Sequence, residues 1–196
     1  MLSSQVINPY RFASGGAGTP AWEFLDSDIL TSDGTSMEVH LGSAINFSDV
    51  QCFAIFISAV LNQTSSYQDA QLRVGTGGSV ISSGSYEAYG VINQSNTATY
   101  LNSSYGETSF RTETSNLGGS WITLCYLTYN PNTDFPEMVM STASDNRQTD
   151  PSRPMANFVC GGFINSTLTS LQDIEVTSGN NFYAKSRLYV YKVLNS

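Results

Sequence analysis

Charge is scarce in this chain of 196 residues: only 12% of positions are Asp, Glu, Lys or Arg, and just two are lysine, Lys185 and Lys192. Sixteen acidic residues against eight basic ones leave a net charge of -8. A polyphosphate partner is held by clustered Lys and Arg, so nucleic acid is excluded as a partner. Histidine is nearly absent too, with His40 alone, and no Cys or second His stands at zinc-motif distance from it. Cysteine is limited to Cys52, Cys125 and Cys160, an odd number set far apart among apolar neighbours. These read as three buried free thiols, and spacing alone cannot assign a disulfide. Long apolar runs are missing. The most apolar window, Val50 to Leu61, is far shorter than the roughly 20 residues of a membrane helix and reads as a buried strand. The first ten residues lack the basic and apolar regions of a secretory signal, so the expectation is a protein made and released in a cytoplasm.

What fills the chain instead is 29 Ser, 18 Thr and 15 Asn, over a 40% apolar and 12% aromatic content. That is enough apolar material for a core, which excludes a disordered chain. Five Asn-x-Ser/Thr sequons, at Asn46, Asn62, Asn93, Asn102 and Asn165, follow from this composition and carry no argument of their own.

Periodicity indicates strands nearly throughout. In Ser36 to Leu41, Met37, Val39 and Leu41 alternate with Ser36, Glu38 and His40, the pattern of a strand with one wet face, so His40 is expected to face solvent. Cys52 to Leu61 and Ile122 to Tyr129 are apolar on both alternating faces, as expected of central strands covered above and below. Turn signals such as Gly75-Thr-Gly-Gly78, Leu117-Gly-Gly119, Asn130-Pro131 and Ser178-Gly-Asn-Asn181 separate about ten strand-like runs. Nothing shows sustained helical periodicity. The fold class is therefore all-β: an antiparallel β-sandwich, jelly-roll-like, spanning residues 21–196, preceded by an extended N-terminal arm or linker at 1–20.

The arm is rich in Gly, Ser and Pro, yet holds Val6, Ile7, Tyr10 and Phe12. It reads either as a frayed terminus or as an anchor whose four apolar side chains order on a neighbouring subunit. Two polar stretches, Asn93 to Tyr105 and Ser141 to Ala156, are expected to be presented outward as loops.

Chemistry is hard to find. The triad arrangement needs a base beside a nucleophile, and no G-x-S-x-G elbow accompanies His40. Glycosidases need only two carboxylates, so a pair such as Glu38 with Glu175 across a sheet stays open, though nothing singles it out. Gly75-Thr-Gly-Gly78 lacks the Lys and helix of a phosphate-binding loop. Asp145 to Asp150 lacks the central Gly and terminal Glu of a calcium loop. No catalytic, metal or cofactor-binding residue is assigned and no cofactor is expected. Tyr67, Tyr100 and Tyr105 sit among Asn, Asp and Ser and form a candidate glycan platform, a ring for the sugar face with amides and hydroxyls for its edge. The alternative is that these tyrosines are ordinary strand residues.

From Trp22 to Val193 the chain resembles a family of tailed-bacteriophage virion structural proteins with a β-sandwich or jelly-roll domain. The segment Leu168 to Lys192 carries most of the resemblance, a strand leading to Ser178-Gly-Asn-Asn-Phe182 and then Ser186-Arg-Leu-Tyr-Val-Tyr-Lys192. Trp22-Glu-Phe-Leu25 and Leu72-Arg-Val-Gly-Thr-Gly-Gly78 with Ser85-Tyr86 also fit. Lys185 stands where the family usually has Gly, and Lys192 replaces its terminal Gly. The resemblance implies a non-enzymatic component of the virion, assembled in the host cytoplasm: a capsid decoration or a short tail appendage or fibre subunit. It implies packing on other virion proteins and homo-oligomerisation, with a trimer favoured. A different class remains beside it, a carbohydrate-binding module that recognises host surface glycans.

Overall fold

A computed structural model describes residues 22–62, 68–82, 84–94, 97–115, 120–133, 135–145 and 155–194; within it, 62, 68–69, 91–94, 97–106, 111–115, 144–145 and 155–158 are described by backbone alone. The twelve strands are β1 (Trp22–Ile29), β2 (Gly34–Asn46), β3 (Cys52–Asn62), β4 (Gln68–Gly75), β5 (Tyr86–Gln94), β6 (Thr97–Glu107), β7 (Phe110–Ser115), β8 (Ser120–Asn130), β9 (Phe135–Asp145), β10 (Met155–Ile164), β11 (Ser170–Phe182) and β12 (Arg187–Val193). Helix among the described residues is one 3-10 turn, Phe47–Asp49. All strand pairs are antiparallel.

Two sheets result. The larger runs β1-β12-β3-β8-β9-β10-β5-β6 and the smaller β2-β11-β4-β7. The chain passes back and forth between them, which makes an antiparallel, jelly-roll-like sandwich. Alternation fixes which side each residue takes. From the small sheet Met37, Val39, Leu72, Val74, Phe110, Ile174 and Val176 point inward, and from the large sheet Phe53, Ile55, Ile57, Trp121, Leu127, Met138, Met140, Leu188 and Val190 meet them in one core. One inner row, Val190, Ile55, Cys125, Met140 and Cys160, crosses five strands side by side.

The three cysteines are free, as expected, with Cys125 and Cys160 in this core and Cys52 part-buried. Burial pushes the Cys160 thiol up to about 12 and raises those of Cys125 and Cys52 as well. Such thiols stay protonated and inert at neutral pH.

Three expectations change. Ser178-Gly-Asn-Asn181 does not end a strand: β11 runs through it, leaving β4 after Ser178 and pairing with β3 at Asn181 and Phe182. The glycine and asparagines form the corner by which one strand passes from the small sheet to the large one. The polar stretch Asn93 to Tyr105 is no outward loop but the β5–β6 hairpin, closed in register from Gln94 opposite Thr97 to Gly90 opposite Leu101. Of Ser141 to Ala156, the ends belong to β9 and β10, whose register pairs Met155 with Asp145. The remainder, 146–154, lies outside the described residues.

Candidate functional site

Among the described residues, the strands β3 and β8, expected to be covered above and below, meet a second layer on one side only. Phe53, Ile55 and Ile57 face the core, while Ala54, Phe56 and Ser58 point to the other side of the large sheet, which no second layer covers among the described residues. What the sequence shows as apolar on both faces is one buried face and one apolar face turned outward. Register aligns this outer face into rows. Phe24, Tyr191, Ala54, Tyr126, Val139, Gly161 and Tyr89 lie side by side across seven strands. The next row holds Tyr189, Phe56, Leu124, Ser141 and Val159, and the one beyond it carries Ile122. Val139 is 60% exposed, Ile122 52% and Val159 51%. Isolated exposed apolar residues are ordinary, but a contiguous band on neighbouring strands marks a contact surface.

One margin of this face is already occupied by an aromatic cluster. The Trp22 ring lies 6.1 Å from both Tyr126 and Tyr191, and Phe24 meets Tyr191 edge-on at 5.6 Å. Ala54, between Tyr126 and Tyr191 in the row, is consequently 1% exposed although it points outward. The face therefore accepts aromatic side chains laid on it.

The outer face of the small sheet is chemically the opposite. Its rows read Ser36, Thr177, Gln71, then Glu38, Glu175, Arg73, then His40, Asp173, Gly75. The sequence-proposed pair Glu38 and Glu175 are indeed direct neighbours across β2 and β11. Glu175 is engaged by Arg73 Nη1 at 3.2 Å, and Glu38 Oε1 accepts from the Ser36 hydroxyl at 3.0 Å. His40 is exposed on this face, as its alternation indicated, and its Nδ1–H donates to Asp173 Oδ1 at 2.5 Å.

The turn after β4 roofs the site. Gly77 and Gly78 hold positive φ, and their N–H groups donate to Gln172 Oε1 and Asp173 Oδ2, each at 3.0 Å. A Cβ on Gly75 would fall 2.0 Å from the Ser79 carbonyl oxygen, so only glycine lets the turn fold this closely over β4. Between turn and sheet lies a cleft of about 510 Å³ lined by Glu38, His40, Ser79, Asp173 and Glu175. The Gly-rich segment is thus a clamp on β11 with its N–H groups already in use, not a phosphate cradle.

A His–Asp pair supplies two of the three members of a nucleophilic triad. The polar neighbour of His40 Nε2 is the Gln172 amide at 3.5 Å, neither a hydroxyl nor a thiol, and of the carboxylate pair Glu175 is held by Arg73. The His–Asp pair could not be found by motif, because its members are 133 residues apart and meet only through strand register.

Of the residues singled out from sequence, Val6, Ile7, Tyr10, Phe12 and Tyr67 lie outside the described residues. Tyr100 and Tyr105 belong to β6, where Tyr100 stands opposite Val91. No group of three or more metal-binding side chains occurs among the described residues, and no described helix is long and apolar enough to cross a membrane.

No protein-family model matches the chain, and no curated protein matches it in sequence. Among solved structures, a peanut lectin with a nine-residue peptide is 13% identical over 94% of this chain and 97% of its own, with a TM-score of 0.33. The CBM2 module of the evolved Dit of Lactobacillus casei BL23 phage J-1 is 9% identical over 84% of this chain and 77% of its own, with a TM-score of 0.30. Likenesses of this size carry nothing about what this chain binds.

Proposed function

We propose that the protein is a non-enzymatic structural subunit of a tailed-phage virion, a surface decoration or short appendage subunit that oligomerises, trimer favoured, and packs against protein neighbours. The observation that carries this reading is the apolar outer face of the large sheet, centred on Tyr126, Val139, Val159 and Ile122. A chain with so few charges and such a face is suited to being covered by protein. The virion setting rests on the sequence resemblance between Trp22 and Val193. Replacing Val139 and Val159 together by Asp places two charges in the middle of the contact while leaving the inner core untouched. The double variant is expected to keep its circular dichroism spectrum, to run as a monomer in sedimentation velocity and to be lost from particles. Incorporation at wild-type occupancy would overturn the reading. Immunogold labelling of particles then distinguishes capsid from tail.

A second reading, glycan recognition, is favoured by the small-sheet cleft, where Glu38, His40 and Ser79 present groups that can take sugar hydroxyls. A glycan array probed with wild type, Glu38→Gln and Tyr100→Ala separates the two readings, since a purely structural subunit binds nothing on it.

A further inference from the structure

We infer that the occupant of the large sheet's outer face is the N-terminal segment of a second copy of this chain, with Val6, Ile7, Tyr10 and Phe12 as its anchors. This rests on the reading that the face is a protein-packing surface, and it names the partner.

Three observations lead there. First, the face already takes an aromatic ring from the start of β1: Trp22 lies against Tyr126 and Tyr191. The chain outside the described residues ends at this margin, and its apolar residues are of the kind that Tyr126, Val139, Val159 and Ile122 would cover. Second, length suffices. The segment before Trp22 reaches roughly 70 Å when extended, whereas eight strands at about 4.8 Å spacing are about 34 Å across.

Third, charge is complementary at this contact. Residues 1–21 contain Arg11 and no acid, in a chain whose net charge is -8. Beside the open patch, Phe163 is flanked in register by Glu87 and Glu137, which offer carboxylates to an arginine held between two aromatic residues. Two acidic copies repel, and placing Arg11 of each beside Glu87 and Glu137 of the other offsets part of that repulsion.

The experiment uses the full chain with the photo-crosslinker p-benzoylphenylalanine at position 10, mixed as ¹⁴N- and ¹⁵N-labelled protein. Crosslinks joining heavy to light chains, from position 10 to peptides of β8, β9 or β10, are expected. In parallel, deletion of residues 1–20 should yield a folded monomer. The full-length double variant Tyr10→Ser/Phe12→Ser, which guards against misfolding of the truncation, should weaken self-association about a hundredfold, as two buried aromatic anchors imply. Crosslinks confined to single chains, or to none of these strands, would overturn the inference. So would an unchanged oligomer after deletion. If the deletion stays oligomeric while Val139→Asp/Val159→Asp is monomeric, the segment is not the occupant but the face still packs on protein; if the Asp variant also stays oligomeric, the packing reading falls with it.

Discussion

Lys185 holds a φ of 75°, the one non-glycine residue in the left-handed region among the described residues. It sits in the tight link between β11 and β12, where its N–H donates to the Leu30 carbonyl at 2.7 Å and the Ser186 N–H to that of Tyr183 at 3.1 Å. Those bonds fix the backbone in a conformation that costs a side-chain-bearing residue roughly 1 kcal/mol. The resembling family usually has glycine at this position, so its departure in sequence is a site of strain in structure. Lys185→Gly is expected to stabilise the fold by about 1 kcal/mol, or roughly 2–4 °C in Tm; calorimetry showing a lower Tm would contradict the account. The sequence alone marked Lys185 as unusual but could not supply the reason, because the strain arises from a hydrogen bond to Leu30, distant in the chain.

At the scale of elements, legibility followed alternation. β2 was readable because Met37, Val39 and Leu41 fill the core while Glu38 and His40 stay wet. β3 and β8 lie where the sequence puts them, but what covers their outer face is not legible there, since an apolar outer residue such as Ile122 looks the same in sequence whether a second layer or a partner covers it. The corner in β11 reads as a turn in sequence because the same Ser-Gly-Asn chemistry serves a reversal and a change of sheet. Tyr86 was recognised only as part of the resemblance, and structure shows why it matters. Its ring meets Phe110 edge-on at 4.8 Å, and its hydroxyl accepts from the Val74 N–H at 3.0 Å and donates toward the Ile81 carbonyl at 3.0 Å. One side chain thereby ties the start of β5 to the end of β4 and the turn that roofs the cleft. Tyr86→Phe leaves the Val74 N–H without that acceptor and is expected to cost about 1–3 kcal/mol at pH 7. Burial also pushes the Tyr86 hydroxyl up to about 12 from 10.0. The unfolded chain therefore loses this proton first, and the stability is present below pH 10 and lost as pH rises toward 12. Denaturant titrations should show the gap between wild type and Tyr86→Phe narrowing by about 1.4 kcal/mol between pH 9 and pH 11. A gap that stays constant would mean the hydroxyl is not held as described.

For the whole molecule, what was legible about the candidate site was its character and not its place. The resemblance implied a surface met by protein, yet the apolar outer face exists only once Phe24, Tyr126, Val139 and Tyr89, from four separate strands, are brought into one row by register. Net charge then decides how such a molecule associates. Copies carrying -8 repel over the Debye length, which shrinks from about 30 Å at 0.01 M salt to about 8 Å at 0.15 M. Packing through Val139, Val159 and Ile122 is itself indifferent to screening at these concentrations, and one Arg11 per copy offers a single attraction against the summed repulsion of the acidic residues. Salt should therefore tighten self-association at neutral pH. Sedimentation velocity between 0.01 and 0.15 M NaCl is expected to show the dissociation constant falling several-fold. Weakening with salt would mean that ion pairs, not the apolar rows, hold the copies together, and Val139→Asp would then disturb assembly no more than a charge placed elsewhere on the surface.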